Sequence, residues 1–116
     1  MNNVYDKAHE LAKILKDYPE VIAYREANKK IQNNPNSKKM IDDFRKIQLE
    51  AYSEQMEKKE LSETTKKKFE NVASIISINP DVAQYLNAEQ KFAIIWQDIM
   101  KILGDSVGVD LSFSVK

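Results

Sequence analysis

Between Pro80 and Leu103 the chain reads as one helix with two apolar seams. Tyr85, Ala88, Phe92, Ile95, Ile99 and Ile102 recur at alternating spacings of three and four. Leu86, Ala93, Trp96, Met100 and Leu103 form a second stripe beside them. A surface helix needs one apolar stripe, and a helix that is apolar nearly all round has neighbours on more than one side. This segment therefore predicts an all-α fold in which one helix is flanked twice, and a second copy of the chain can be one of its neighbours. The pattern points to association, and no equally clear pattern points to chemistry.

Sparse punctuation sets the other helices. Both glycines, Gly104 and Gly108, fall near the C-terminus, and all three prolines read as helix starts. Asn34-Pro35 and Asn79-Pro80 place an amide cap before a proline at the first helical position, where the fixed φ suits the helix and the missing N–H costs nothing. Tyr18-Pro19-Glu20 is a weaker version. The first helix is predicted from Val4 to Asp17, with Val4, Ala8, Leu11, Leu15 and Tyr18 on its stripe. The second is predicted from Pro19 to Asn33, with Ile22, Ala23, Ala27 and Ile31. The third is long, from Pro35 to Glu60, and carries Met40, Phe44, Ile47 and Ala51, with Gln55 extending the stripe. The fourth starts after Ser62 as N-cap and carries Phe69, Val72, Ile75 and Ile76. The fifth is expected to end at Gly104 as a left-handed cap. Pro19 to Tyr24 echoes Pro80 to Tyr85, which shared helix-start residues explain without a duplication.

At about 1.5 Å per residue the third and fifth helices are on the order of 35–40 Å long, whereas a compact domain of about a hundred residues has a radius of gyration near 13 Å. The expected architecture is an elongated antiparallel helical hairpin or bundle of about five helices, two of them long. An elongated monomer buries its apolar faces poorly, so a homodimer through the long helices is expected. Residues 1–104 make a single helical domain in this reading, and 105–116 a C-terminal tail. From Val109 to Val115 the tail alternates strictly, with Val109, Leu111, Phe113 and Val115 between Asp110, Ser112 and Ser114. That is a strand period, but a lone strand is not stable in water. The tail must pair with another chain's tail, lie in a groove or stay loose, and a loose terminus is the plainer reading.

Composition narrows the function classes. The 18 basic and 18 acidic side chains cancel, whereas nucleic-acid binders draw affinity from a basic excess. Lys66, Lys67 and Lys68 are flanked by Glu60, Glu63 and Glu70 and read as a solvated face. There is no cysteine, so disulfides, thiol catalysis, thiolate zinc sites and cysteine-ligated iron–sulfur clusters are excluded. The opening residues lack a signal-type apolar core. The patch from Phe92 to Leu103 is broken by Gln97, Asp98 and Lys101, too short and polar to span a bilayer. A cytoplasmic protein with no membrane partner is expected.

Candidates for catalysis are few. No glycine precedes position 104, so there is no phosphate-cradling loop. His9 is the only histidine, with Asp6 and Lys13 as helical neighbours, and reads as an exposed residue. Asp6-Lys7-Ala8-His9 is the one near match to the Glu-x-x-His pair of di-iron bundles, with Asp in place of Glu. Arg25 and Arg45 are the only arginines, few for a site that reads carboxylates. No enzyme, cofactor or metal site is expected. Polar residues beside the seams, Gln48, Gln55, Glu89 and Gln90, are of the kind that set register or partner choice, although a solvated flank is the plainer reading. Trp96 with Phe92 and Met100 could anchor a partner or simply pack a core.

The assembled segments resemble a known family. Residues 3–11 (NVYDKAHEL), residues 37–48 (SKKMIDDFRKIQ) followed by Gln55-Met56, and Ala88-Glu89-Gln90-Lys91-Phe92 are similar to the opening, central and last helices of the YheA-like branch of the bacterial YlbF/YmcA group. The resemblance covers residues 3–103, and its motifs are helix-face patterns. It implies an all-helical, elongated, dimeric, cytoplasmic protein without known catalytic activity. YlbF and YmcA members act as regulatory partners that associate with ribonuclease Y and influence RNA maturation, competence, sporulation and biofilm formation. Their link to iron–sulfur clusters runs through cysteines that this chain lacks, and the strand-like tail also departs from the family.

The combined expectation is a non-enzymatic interaction module, self-associating and docking on a protein partner of the RNA-processing class. Its expected interface is Phe44, Gln48, Gln55, Tyr85, Glu89, Phe92, Ile95, Trp96 and Ile99. Two alternatives stay open. One is RNA binding through Lys58, Lys59 and Lys66 to Lys68, and the other is a small-molecule or metal site between helices.

Overall fold

The computed structural model describes residues 3–109. It contains α1 (Val4–Lys16), α2 (Pro19–Gln32), α3 (Pro35–Lys58), α4 (Glu63–Ser77) and α5 (Pro80–Val107). The fold is all-α with five helices, and α3 and α5 are the long ones, with 24 and 28 residues. Among the described residues there is no strand. The period-two tail lies outside them apart from Val109.

The helix starts follow local chemistry. The Asn34 side-chain oxygen accepts from the backbone N–H groups of Asn36 (3.0 Å) and Ser37 (3.2 Å), and that of Asn79 accepts from Val82 N–H at 3.2 Å. Each satisfies donors that a first helical turn leaves unpaired. Ser62 accepts from Thr65 N–H at 3.2 Å. At the other ends, two expectations need correction. Helix α3 stops at Lys58, two residues short of Glu60, because Lys59 turns left-handed (φ 60°) and donates its N–H to the Gln55 carbonyl at 3.1 Å. Helix α5 runs through Gly104 to Val107. A glycine weakens a helix interior without stopping it, and Lys101 pairs with Asp105 across it at 3.8 Å. The left-handed residue is Gly108 (φ 86°), whose N–H donates to the Gly104 carbonyl at 2.7 Å.

The chain divides into two compact units. The central unit spans Glu26–Leu86 and holds the second half of α2, all of α3 and α4, and the first turns of α5. Helices α3 and α4 form an antiparallel hairpin: Glu54 bonds Thr65, Glu50 pairs with Lys68 (2.9 Å), and the Phe44 and Phe69 rings meet edge to face at 6.4 Å. Ala27, Ile31, Ile41, Ile47, Val82 and Tyr85 are buried, and each large aliphatic side chain removed from water stabilises by about 1.5–3 kcal/mol. The buried polar groups are matched. Asn79 donates its amide to the Ser37 hydroxyl at 3.2 Å, and Arg45 donates to the Tyr85 hydroxyl at 3.1 Å.

The terminal unit comprises the residues up to Arg25 and from Asn87 onward. Arg25 donates both terminal guanidinium nitrogens to the Lys16 carbonyl, 3.3 Å each, and so closes the end of α1. The Tyr24 ring stacks on Phe92 at 5.3 Å, and Phe92 lies 6.2 Å from Trp96. Ala88 is the one fully buried residue of this unit among those described.

Candidate functional site

The nine residues expected at an interface fall into two groups, one per unit. In the central unit, Tyr85 is buried beneath Arg45, Phe44 is half-buried against Phe69, and Gln48 and Gln55 are exposed on α3. Tyr85 is therefore a core residue with a bonded hydroxyl. In the terminal unit, Glu89, Phe92, Ile95, Trp96 and Ile99 are all half-buried, and Glu89 accepts from the Tyr24 hydroxyl at 3.4 Å. Along α5, both seams stay half-covered from Leu86 to Met100, apart from the buried Ala88, and become exposed at Ile102 and Leu103.

The exposed large apolar residues lie outside the nine expected at an interface. The first helix carries a periodic apolar stripe, yet it holds no buried residue. Leu15 is half-buried, while Val4, Leu11 and Ile14 are exposed. Eleven of the sixteen exposed large apolar residues belong to the terminal unit, which has fewer described residues than the central one. Isolated exposed apolar residues are ordinary, but a concentration of them on two helices marks an interaction surface. The central unit has a smaller example on α3, where Leu49, Tyr52 and Met56 follow one another at spacings of three and four and are all more than 60% exposed. That spacing was readable in the sequence, beside the Met40–Phe44–Ile47–Ala51 stripe.

One carboxylate has a shifted affinity for protons. Glu54 accepts a hydrogen bond from the Thr65 hydroxyl and another from the Ser62 backbone N–H (2.7 Å), and these, in that order, hold its carboxyl below the ordinary 4.5. In the usual capping box the third helical residue reaches back to the N-cap N–H. Here that residue is Thr65, and a carboxylate from the preceding helix takes over the task. The arrangement is a structural clip.

Chemistry finds little footing elsewhere. Among the described residues no three His, Cys, Asp or Glu side chains gather as metal ligands. His9 is exposed beside Asp6 and Lys13 along a shallow hollow on α1. Of the lysines considered for RNA, Lys66 lies 3.5 Å from Glu63 and Lys68 2.9 Å from Glu50, so part of that charge is already answered. A notch between α3 and α4 is lined by Met40, Val72 and Ile75, with Lys39 and Asp43 paired at 3.1 Å on its rim. Among the described residues no helix is long and apolar enough to cross a membrane.

The family described as "Control of competence regulator ComK, YlbF/YmcA" matches residues 4–108. A UPF0342 protein of Clostridium tetani is 50% identical over 114 residues, covering 98% of each chain. Another from Symbiobacterium thermophilum is 37% identical over 111 residues, covering 96% of this chain and 99% of that one. UPF0342 is the YheA group. Among solved structures, Bacillus subtilis RicA, determined in complex with RicF, superposes with a TM-score of 0.52 at 20% identity, over 97% of this chain and 96% of RicA. The chain belongs to the YlbF/YmcA family, and the RicA match carries the fold.

Proposed function

We propose that this protein is a non-enzymatic helical interaction module that associates with itself and docks on a protein partner in RNA processing. The observation that carries the reading is the terminal unit. It concentrates large apolar side chains on α1 and the later turns of α5, yet holds one fully buried residue among those described. A concentration of exposed large apolar side chains of this kind marks a surface that another molecule covers. Membership in a family described by control of a competence regulator supports a regulatory role, and the determination of RicA together with RicF supports protein partners. The RNA-processing class follows from the resemblance to YlbF and YmcA members.

The test is affinity capture of the tagged native chain from a producing cell, beside a Phe92→Asp, Trp96→Asp variant whose helix content is verified by circular dichroism. Native capture of ribonuclease subunits or their regulators, lost in the variant, is expected. Recovery of the protein's own copies alone would overturn the adaptor part of the reading.

A further inference from the structure

We infer that residues 109–115 fold back along the last turns of α5 as an extended strap, which covers one edge of that helix from within the chain and must be displaced by a partner docking on Phe92 and Trp96. The strap stands apart from the interaction-module reading, and its regulatory role rests on that reading. The family match ends at residue 108, so membership assigns these residues nothing.

The helix offers a track. At about 100° per residue, Phe92, Trp96, Ile99, Leu103 and Val107 share an arc of α5 about 80° wide. Phe92, Trp96 and Ile99 are half-buried, and Leu103 and Val107 are exposed. Helix α5 then ends in a cap that turns the chain out of the helical path. Gly108 is left-handed, and its N–H donates to the Gly104 carbonyl. The residue after such a glycine often packs back on the last turn of its own helix. Here that residue is Val109, apolar and exposed.

The tail fits this track in length and period. Residues 110–116 lie outside the described structure. Their sequence continues the alternation begun at Val109, with Leu111, Phe113 and Val115 on one side and Asp110, Ser112 and Ser114 on the other. Alternate side chains of an extended segment stand about 6.6 Å apart, and four helical residues rise about 6 Å. Val109, Leu111 and Phe113 therefore fall in step with Val107, Leu103 and Ile99, and Val115 reaches the level between Trp96 and Phe92. The apolar side meets the helix while the polar side and the backbone stay in water. A tail joined directly to the end of a helix meets that helix at an effective concentration in the millimolar range, far above that of another copy's tail in dilute solution. Ile102 lies about 60° beyond the edge of the arc, so it stays open to a partner together with α1.

The chain has no cysteine, so two introduced thiols report one distance. Leu103→Cys with Leu111→Cys places both on the track. Lys101→Cys with Leu111→Cys places the helical thiol at nearly the same height on the opposite face. Under mild oxidation of the dilute full chain the first pair is expected to close an intrachain disulfide at least about tenfold faster, because closure needs Cα atoms within about 7 Å. In a second measurement, Phe113→Asp is expected to red-shift the emission of Trp96, the only tryptophan, and to open it to acrylamide. Ser112→Asp, on the water side, is expected to leave both unchanged. Equal disulfide rates, a fast disulfide that joins two chains, or Trp96 unmoved by Phe113→Asp would overturn the strap. A strap closed about nine-tenths of the time weakens a partner's apparent affinity about tenfold. Phe113→Asp is therefore expected to bind a purified ribonuclease component more tightly than the native chain by that factor. Equal binding would overturn the regulatory role. No binding by either form, with the disulfide bias intact, sinks the interaction module and keeps the strap.

Discussion

The central and terminal units are built from the same kind of helix and differ in what they finish. The central unit closes its own core: Ile31, Ile41, Ile47, Val82 and Tyr85 are buried, and Asn79, Ser37 and Arg45 satisfy its inner polar groups. The terminal unit has the longer list of large apolar side chains and buries almost none of them fully. Hydrophobic content alone therefore does not say where a core is. What matters is whether the chain brings a second surface to each apolar face; among the described residues of the terminal unit it does not, and in the proposed function another molecule does.

Substitutions sharpen the contrast. Ile41→Ala should cost the central unit about 2–5 kcal/mol, since it opens a cavity in a finished core, and denaturant unfolding should show this equally at high and low protein concentration. Ile102→Ala, on an exposed side chain of the terminal unit, should cost less than about 1 kcal/mol at dilution and more as concentration rises. An equal, concentration-independent loss in both variants would break the comparison. Asn79→Ala removes both the cap of α5 and the bond to buried Ser37, and should lower central-unit stability by about 1–2 kcal/mol.

The α3–α4 turn gives two smaller effects. Because the folded-state affinity of Glu54 for protons is lowered, its contribution is complete above the ordinary carboxylate value and is lost as pH falls through the lower folded value. Glu54→Gln should flatten that part of the acid unfolding curve. A wild-type curve unchanged by the substitution would remove the clip from the account. Lys59 holds a left-handed conformation (φ 60°) that a side chain disfavours. Lys59→Gly should raise stability by roughly 0.5–1 kcal/mol, net of the freedom glycine gains when unfolded, and a small rise in melting temperature would register it.

Helix starts were legible because their signals are local. Asn34-Pro35, Ser62 and Asn79-Pro80 need only their own next three residues, and each caps as read. Helix ends were less so. Lys59 turns without a glycine to announce it, and Gly104 announces an end that Gly108 supplies. Stripe membership was readable and burial was not. The stripe of α1 is as periodic as that of α2, yet only α2 finds a cover, at Ala27 and Ile31. The echo between Pro19–Tyr24 and Pro80–Tyr85 makes the same point, since Val82 is fully buried while its counterpart Val21 is only half-buried. Of the expected interface, Tyr85 belongs to the core because Arg45 reaches its hydroxyl, a contact forty residues apart that no local pattern encodes. The Glu54 clip likewise joins residues of two helices through a turn.

Amide hydrogen exchange at two protein concentrations tests the central claim most directly. The account predicts that amides around Ile41 and Ile47 in α3 are protected to the same degree at both. Those of α1 and of the last turns of α5 exchange fast at dilution and gain protection as concentration rises. Amides of α1 as protected at dilution as those of α3 would mean that the terminal unit finishes itself, and the account would fail.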